Sequence, residues 1–216
     1  MEMQEAGQGA RRGPGIARSG IGWWMALAAG ALAAVLVPAT LRAQEGPVAP
    51  LPPASESAFH PRSAFVQGAA SERSSALTVG FTWALPQRLG WLGSHWRAHL
   101  EASAARWTPR DRSPGDPSHF TRVGLTPALR YSPQEGASRW FLEAGVGLNL
   151  IGPVYRVGDK RFGSAFNFGD HVAIGWIPDS GRRHEVILRL QHFSNAGLRP
   201  PNPGENFLQL RWASRF

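Results

Sequence analysis

The sequence predicts an all-β protein, an eight-stranded antiparallel transmembrane β-barrel of the bacterial outer-membrane type. Three observations point there. Segments of roughly ten residues alternate apolar and polar side chains with a period of two, and turn residues bound each one. One face of nearly every segment is apolar, while the other mixes Arg, Glu, His, Asn and Gly; Lys occurs once, at Lys160. Long and short connections follow one another in the pattern of long outer loops and short periplasmic turns. The 216 residues hold Gly 25, Pro 18 and Trp 9 and no cysteine. The chain is therefore rich in turns, and its fold holds without disulfides.

The N-terminus stands apart from this pattern. Arg11, Arg12 and Arg18 precede an apolar run from Ile21 to Val37, Pro38 breaks the run, and small or polar residues continue to Ala43. Residues 1–43 are expected to be a secretory signal peptide. A membrane-spanning helix is the alternative, but the run is at the short limit for one. Cleavage there removes four arginines (Arg11, Arg12, Arg18, Arg42) and two glutamates (Glu2, Glu5), so the net charge falls by two, from +8 to +6. A basic exported chain suits an anionic membrane surface or a phosphorylated lipid. No nucleic-acid-binding signature is present, so nucleic acid is not an expected partner. Residues 44–62, with Pro47, Pro50, Pro52, Pro53 and Pro61, read as a flexible lead-in, and residues 63–216 as the barrel.

The strands follow in order. Ser63–Ala70 is the first and weakest. Ser75–Leu85 sets Leu77, Val79, Phe81 and Trp83 against Thr78, Gly80 and Thr82. His95–Trp107 sets Trp96, Ala98, Leu100 and Ala102 against Arg97, His99, Glu101 and Ser103. Phe120–Tyr131 sets Val123, Leu125 and Leu129 against Arg122, Gly124, Thr126 and Arg130. Trp140–Leu150 sets Leu142, Ala144, Val146 and Leu148 against Glu143, Gly145, Gly147 and Asn149. Phe162–Trp176 sets Phe166, Phe168, Val172 and Ile174 against Asn167, Gly169 and His171. Glu185–Ser194 and Glu205–Phe216 complete eight. Trp83, Trp96, Trp107, Trp140, Trp176 and Trp212 lie near segment ends, where interfacial girdles belong. A soluble lipocalin-like barrel is the competing architecture; it would turn the apolar faces inward and leave Arg97, Glu101, Arg189 and Arg211 outside.

The last two strands carry the chemistry. On Glu185–Ser194 the even positions Val186, Leu188, Leu190, His192 and Ser194 share one face, and Glu185, Ile187, Arg189, Gln191 and Phe193 share the other. A histidine and a serine thus stand side by side at the end of an apolar face. On the final strand Asn206, Leu208, Leu210 and Trp212 take the same lipid side, and Gln209, Arg211 and Arg215 turn inward.

His192-Phe193-Ser194-Asn195, with Gly197 and the later Asn202-Pro203-Gly204, resembles the lipid A 3-O-deacylase (PagL-type) family. Arg156-Val157-Gly158, Ser164, Phe166-Asn167-Phe168 and the strand from Phe141 to Gly147 extend the resemblance over most of the exported chain. It implies an outer-membrane serine esterase that removes the 3-position acyl chain of lipid A, without cofactor or metal. Ser194 would be the nucleophile and His192 the general base. The family's orienting Glu falls at Asn206 here. Asn206 shares the face of His192 and Ser194, and an amide oxygen can orient an imidazole. Glu205 is the alternative orienting acid, but it faces inward unless a bulge re-aims it. Asn195, the Gly197 N–H and Asn202 are candidate oxyanion donors. Arg156, Lys160, Arg161 and Arg199, in the outer loops, are candidates for holding lipid A phosphates. The expected partners are lipopolysaccharide and outer-membrane lipids, and a homodimer stays open. Two other readings remain: a non-catalytic structural or ligand-binding barrel, and a phospholipid-directed esterase on the same scaffold.

Overall fold

A computed structural model gives the structure of residues 60–85 and 93–216. The export signal expected over 1–43, and the lead-in up to residue 59, lie outside the described residues. Strands β1 (Ser63–Ala70), β2 (Ser74–Ala84), β3 (Trp96–Pro109), β4 (Phe120–Tyr131), β5 (Trp140–Gly152), β8 (Phe166–Trp176), β9 (His184–Ser194) and β10 (Glu205–Arg215) form the wall. They close in the order β1-β10-β9-β8-β5-β4-β3-β2, with β1 pairing both β2 and β10. The expected eight-stranded antiparallel barrel is present.

The expected boundaries hold to within two residues except one. The strand expected from Phe162 starts at Phe166, and a small hairpin of β6 (Arg156–Val157) and β7 (Lys160–Arg161) fills the connection before it. Phe162 turns into the barrel mouth, its ring 4.9 Å from that of Tyr155. An aromatic ring gains more there than in the wall, so the chain leaves the wall until Phe166.

Side-chain parity sets the two surfaces. Leu77, Leu142, Val172, Leu190 and Leu210 are each more than half exposed on the outside. A continuous apolar belt of this kind is far larger than a water-facing monomer tolerates, and it suits hydrocarbon. Glu101, Arg189 and Arg211 are buried inside, which rules out the lipocalin-like arrangement.

The interior is held by ion pairs. Arg189 joins Glu101 (3.1 Å) and Glu143 (2.8 Å). Arg211 joins Glu101 (2.7 Å) and the Gln67 side chain (2.8 Å). Arg130 joins Glu143 (3.0 Å) and Glu185 (2.8 Å), and Arg215 also pairs with Glu185. Each of these charges is thus offset by an opposite one at hydrogen-bond distance, the condition under which buried charges persist, while the buried Arg122 donates to Ser103 Oγ (3.0 Å) and Asn149 Oδ1 (2.9 Å).

Above this network, at the end bearing the β3–β4, β5–β8 and β9–β10 connections, Trp107, Phe120, Tyr155, Phe162, Phe193 and Phe207 pack into a plug. Trp107 is 1 % exposed and lies 4.7 Å from Phe207 and 4.9 Å from Phe193, ring to ring. Its place in a lipid girdle is therefore corrected: it has the parity of Arg97 and Glu101, and so it points inward. The other five tryptophans among the described residues gather at the opposite end. There Trp140 stacks on Trp176 at 6.1 Å, Trp96 packs on Tyr131 at 5.2 Å, and Trp212 stacks on His184 at 5.1 Å. Trp83 lies near the same end of β2.

Candidate active site

The site forms where β9 ends and β10 begins. The register sets Asn206 directly opposite His192. Even positions on both strands face outward, so the pair lies on the lipid side of the wall. His192 Nδ1 and Asn206 Oδ1 are 2.6 Å apart. With the amide oxygen as acceptor, Nδ1 carries the proton and Nε2 keeps its lone pair. Gly204, at φ +68°, packs against that ring: a Cβ there would lie 2.5 Å from His192 Cε1 and 3.1 Å from Nε2. Glycine is needed at 204 both for the left-handed backbone and for the close approach.

Ser194 is the last residue of β9, on the same face, two positions from His192. It is 2 % exposed, and its Oγ accepts a hydrogen bond from the Ala196 N–H at 3.5 Å. No hydrogen bond joins Ser194 to His192 among the described residues. Strand geometry sets their Cα atoms roughly 6.5 Å apart on one face, within the reach of two side chains that rotate toward each other.

Asn195 organises the connection that follows. Its N–H donates to Asn202 Oδ1 (2.9 Å), and its Oδ1 accepts from the Gly197 N–H (3.0 Å). Its Nδ2 donates to the Arg199 carbonyl (2.5 Å) and, more distantly, to Ser164 Oγ (3.4 Å). Of the expected oxyanion donors, Asn195 and the Gly197 N–H are therefore engaged in shaping the loop. Asn202 is exposed, and its Nδ2 makes no hydrogen bond to protein among the described residues. The Ala196 N–H, aimed at Ser194 Oγ, is a donor that the sequence reading missed. A left-handed turn right after the serine (Ala196 at φ +53°, Gly197 at φ +80°) brings it there.

Glu205 faces inward as its parity requires. It is 1 % exposed and takes Lys160 Nζ at 2.9 Å and the Tyr155 hydroxyl at 3.2 Å on Oε2. It is remote from the imidazole face, so it is not the orienting acid in this structure. Lys160 is drawn inward with it and departs from the group expected to hold phosphate. Tyr155 also meets Ser74 Oγ at 3.0 Å, and burial raises its phenol above the ordinary tyrosine range.

The other three cations, Arg156, Arg161 and Arg199, line one cavity of about 410 Å³, walled by Tyr155, Phe162, Gly163 and Pro200. Arg156 is braced by Asp116 at 3.3 Å and by the Gly115 carbonyl at 2.5 Å. The Asp116 carboxyl is held below the ordinary carboxylate range, first by the N–H of Gly158, then by that of Ser113 and by Arg156.

The fold and this pairing define a class: a membrane-spanning β-barrel with a serine and an amide-oriented histidine on its lipid-facing wall. Residues 75–215 match the family model described as lipid A 3-O-deacylase (PagL), and the chain belongs to that family. It is 38 % identical over 110 residues to the lipid A deacylase PagL of Bordetella bronchiseptica, a match covering 51 % of this chain and 57 % of that protein. It is 29 % identical over 144 residues to the lipid A deacylase PagL of Pseudomonas aeruginosa, covering 63 % of this chain and 76 % of that one. The crystal structure of the outer membrane enzyme PagL superposes with a TM-score of 0.57 at 24 % identity, over 71 % of this chain and 99 % of that one. The family expected from the His-x-Ser-Asn motif is the family found.

Proposed function

We propose that this protein is an outer-membrane esterase that releases the 3-position acyl chain from lipid A, with Ser194 as nucleophile and His192 as general base. The observation that carries this reading is the 2.6 Å contact between His192 Nδ1 and Asn206 Oδ1, made on the lipid side of the wall beside Ser194. It holds the imidazole in the tautomer whose Nε2 accepts a proton.

The reaction follows from that tautomer. Ser194 Oγ attacks the ester carbonyl carbon as its proton passes to His192 Nε2. The tetrahedral oxyanion is met by the Ala196 N–H and by Asn202 Nδ2. The C–O bond to the sugar breaks, His192 returns the proton to the departing sugar oxygen, and an acyl-Ser194 ester remains. Water then gives a proton to His192 and attacks the acyl carbonyl. A second tetrahedral collapse frees the fatty acid and restores the Ser194 hydroxyl.

Location supports the choice of substrate. The site lies at the end of the barrel with three long connections, which is the outer-leaflet end of a barrel of this type. Lipid A presents its acyl esters at that depth. Arg156, Arg161 and Arg199 line a cavity walled by the same β9–β10 connection, and they suit the phosphates of that lipid. Lys160 and Glu205 stay inside and take no part.

The test is purified protein in detergent micelles acting on lipopolysaccharide, with released fatty acids identified by mass spectrometry. Release of a 3-hydroxy fatty acid by the native chain, and its loss in Ser194→Ala, is the expected result. Release from phospholipid instead would redirect the substrate. Unchanged release by Ser194→Ala would end the serine assignment.

A further inference from the structure

A second ionisable side chain stands on the face that carries the site, and the reaction above leaves it unused. Asp170 of β8 lies directly opposite His192 in the β8–β9 register. Asn206 of β10 lies opposite the same histidine on its other side. Asp170, His192 and Asn206 thus form one row across three strands. All occupy even positions, which face outward on β8, β9 and β10. Directly opposed residues stand about 4.5–5.5 Å apart at Cβ.

Nothing else in the wall resembles this placement. The other acidic residues of the barrel strands, Glu101, Glu143, Glu185 and Glu205, face inward, and each is paired with Arg or Lys. Asp170 is the one carboxylate on the outer face of the barrel strands among the described residues. No cation lies within ion-pairing distance of it there. Its neighbours in the register and along β8 are Val146, Phe168, Val172 and His192, and of these the imidazole alone can become positive. A carboxylate facing hydrocarbon is costly, and a residue kept there against that cost is expected to have a task. The low dielectric that makes it costly also strengthens its pull on a positive neighbour.

We propose that Asp170 supplies the negative charge that stabilises the His192 imidazolium, while Asn206 sets only the tautomer. Two neutral-or-charged tasks that one carboxylate at position 206 would combine are here divided between the two strands flanking β9. Asp170 does not hydrogen-bond the ring; it acts through space as a positioning residue for the charge on His192. The inference rests on the reading of Ser194 and His192 as nucleophile and base.

The experiment uses the full chain folded in detergent micelles, in four forms: native, D170N, N206E and D170N/N206E. Two rates are read: fatty-acid release from lipopolysaccharide, and covalent labelling of Ser194 by an alkyl fluorophosphonate. We expect D170N to lower both kcat and the labelling rate about 10- to 100-fold with KM changed by less than about twofold. In the N206E background the same substitution is expected to cost less than about threefold, because a carboxylate is again beside the ring. A purely structural Asp170 would lose equally in both backgrounds. D170N labelling within about twofold of native, or an equal loss with and without N206E, overturns the inference. Mobility of unheated samples on gels reports the folded barrel; if D170N does not fold, Asp170→Ser replaces it in the comparison. Native protein that is labelled but releases nothing from lipopolysaccharide refutes the substrate and leaves the Asp170 comparison intact. Native protein that is not labelled refutes both.

Discussion

At the residue scale, the contact between His192 and Asn206 is the feature most open to test. Asn206→Ala removes the acceptor that holds Nδ1–H, so the ring is free to flip and to change tautomer. Activity should fall about 10- to 100-fold with the barrel intact. Asn206→Glu restores a charged acceptor at the same place, and activity equal to or above native is expected, read as kcat on lipopolysaccharide. Gly204 gives a second test. Ala at 204 adds a Cβ within 2.5 Å of His192 Cε1 and imposes a left-handed backbone on an L side chain. The ring must move, and a displacement of about 1 Å can cost about 100-fold in rate. Stability should fall by roughly 1–2 kcal/mol.

This scale was partly legible beforehand. Strand parity put His192, Ser194 and Asn206 on one outer face and Glu205 inside, and the structure agrees. Parity along single strands also held the signal for Asp170, an acid at an even position within the stripe of Phe166, Phe168, Val172 and Ile174. Its meaning depends on the β8–β9 register, which one strand cannot reveal. The partner of Lys160 was hidden for the same reason, since Glu205 lies on another strand; those of Asn195 (Ser164 apart) and Gly197 are local to the β9–β10 connection, whose closure strand alternation does not describe.

At the element scale, the connections at the site end form a linked set. Asp116 in the β3–β4 connection accepts from the Gly158 N–H at 2.9 Å and meets Arg156 at 3.3 Å, so it ties that connection to the β6–β7 hairpin. Its carboxyl is depressed in the folded state, so the link contributes fully above the ordinary carboxylate pKa of about 4 and is lost as pH falls through the lower folded value. Asp116→Asn should make the 110–119 connection cleave faster under limited proteolysis at neutral pH, and native protein should show the same change only on acidification. Equal cleavage of both proteins at neutral pH would remove the link from the account. Asn195 plays the corresponding part in β9–β10. The extra β6–β7 hairpin was not foreseen, because the alternation near Phe162 continues smoothly into Phe166; the inward pull of the aromatic plug decides the boundary.

For the whole molecule, an apolar belt outside and paired charges inside divide the labour of stability. Glu101 holds both Arg189 and Arg211. Glu101→Leu leaves two buried guanidinium groups short of a partner, and a loss of about 3–5 kcal/mol is expected, measured by urea unfolding of the barrel in micelles or bilayers. The architecture was the most legible part of the chain. Period-two alternation repeats in eight segments, and a single lysine is too few for eight water-facing sheet faces. Trp107 was the exception, because nearness to a strand end does not tell which side of the wall a ring occupies. Among the described residues, the five tryptophans that do face outward gather at one end, and the opposite end carries the reactive pair.

The most direct measurement is mass spectrometry of lipid A from Gram-negative cells that make the native chain or Ser194→Ala, with the acyl position resolved by fragmentation. Lipid A short of its 3-position acyl chain is expected with the native protein, and intact lipid A with the variant. Intact lipid A in both, with folded barrel present in the outer membrane, would contradict it.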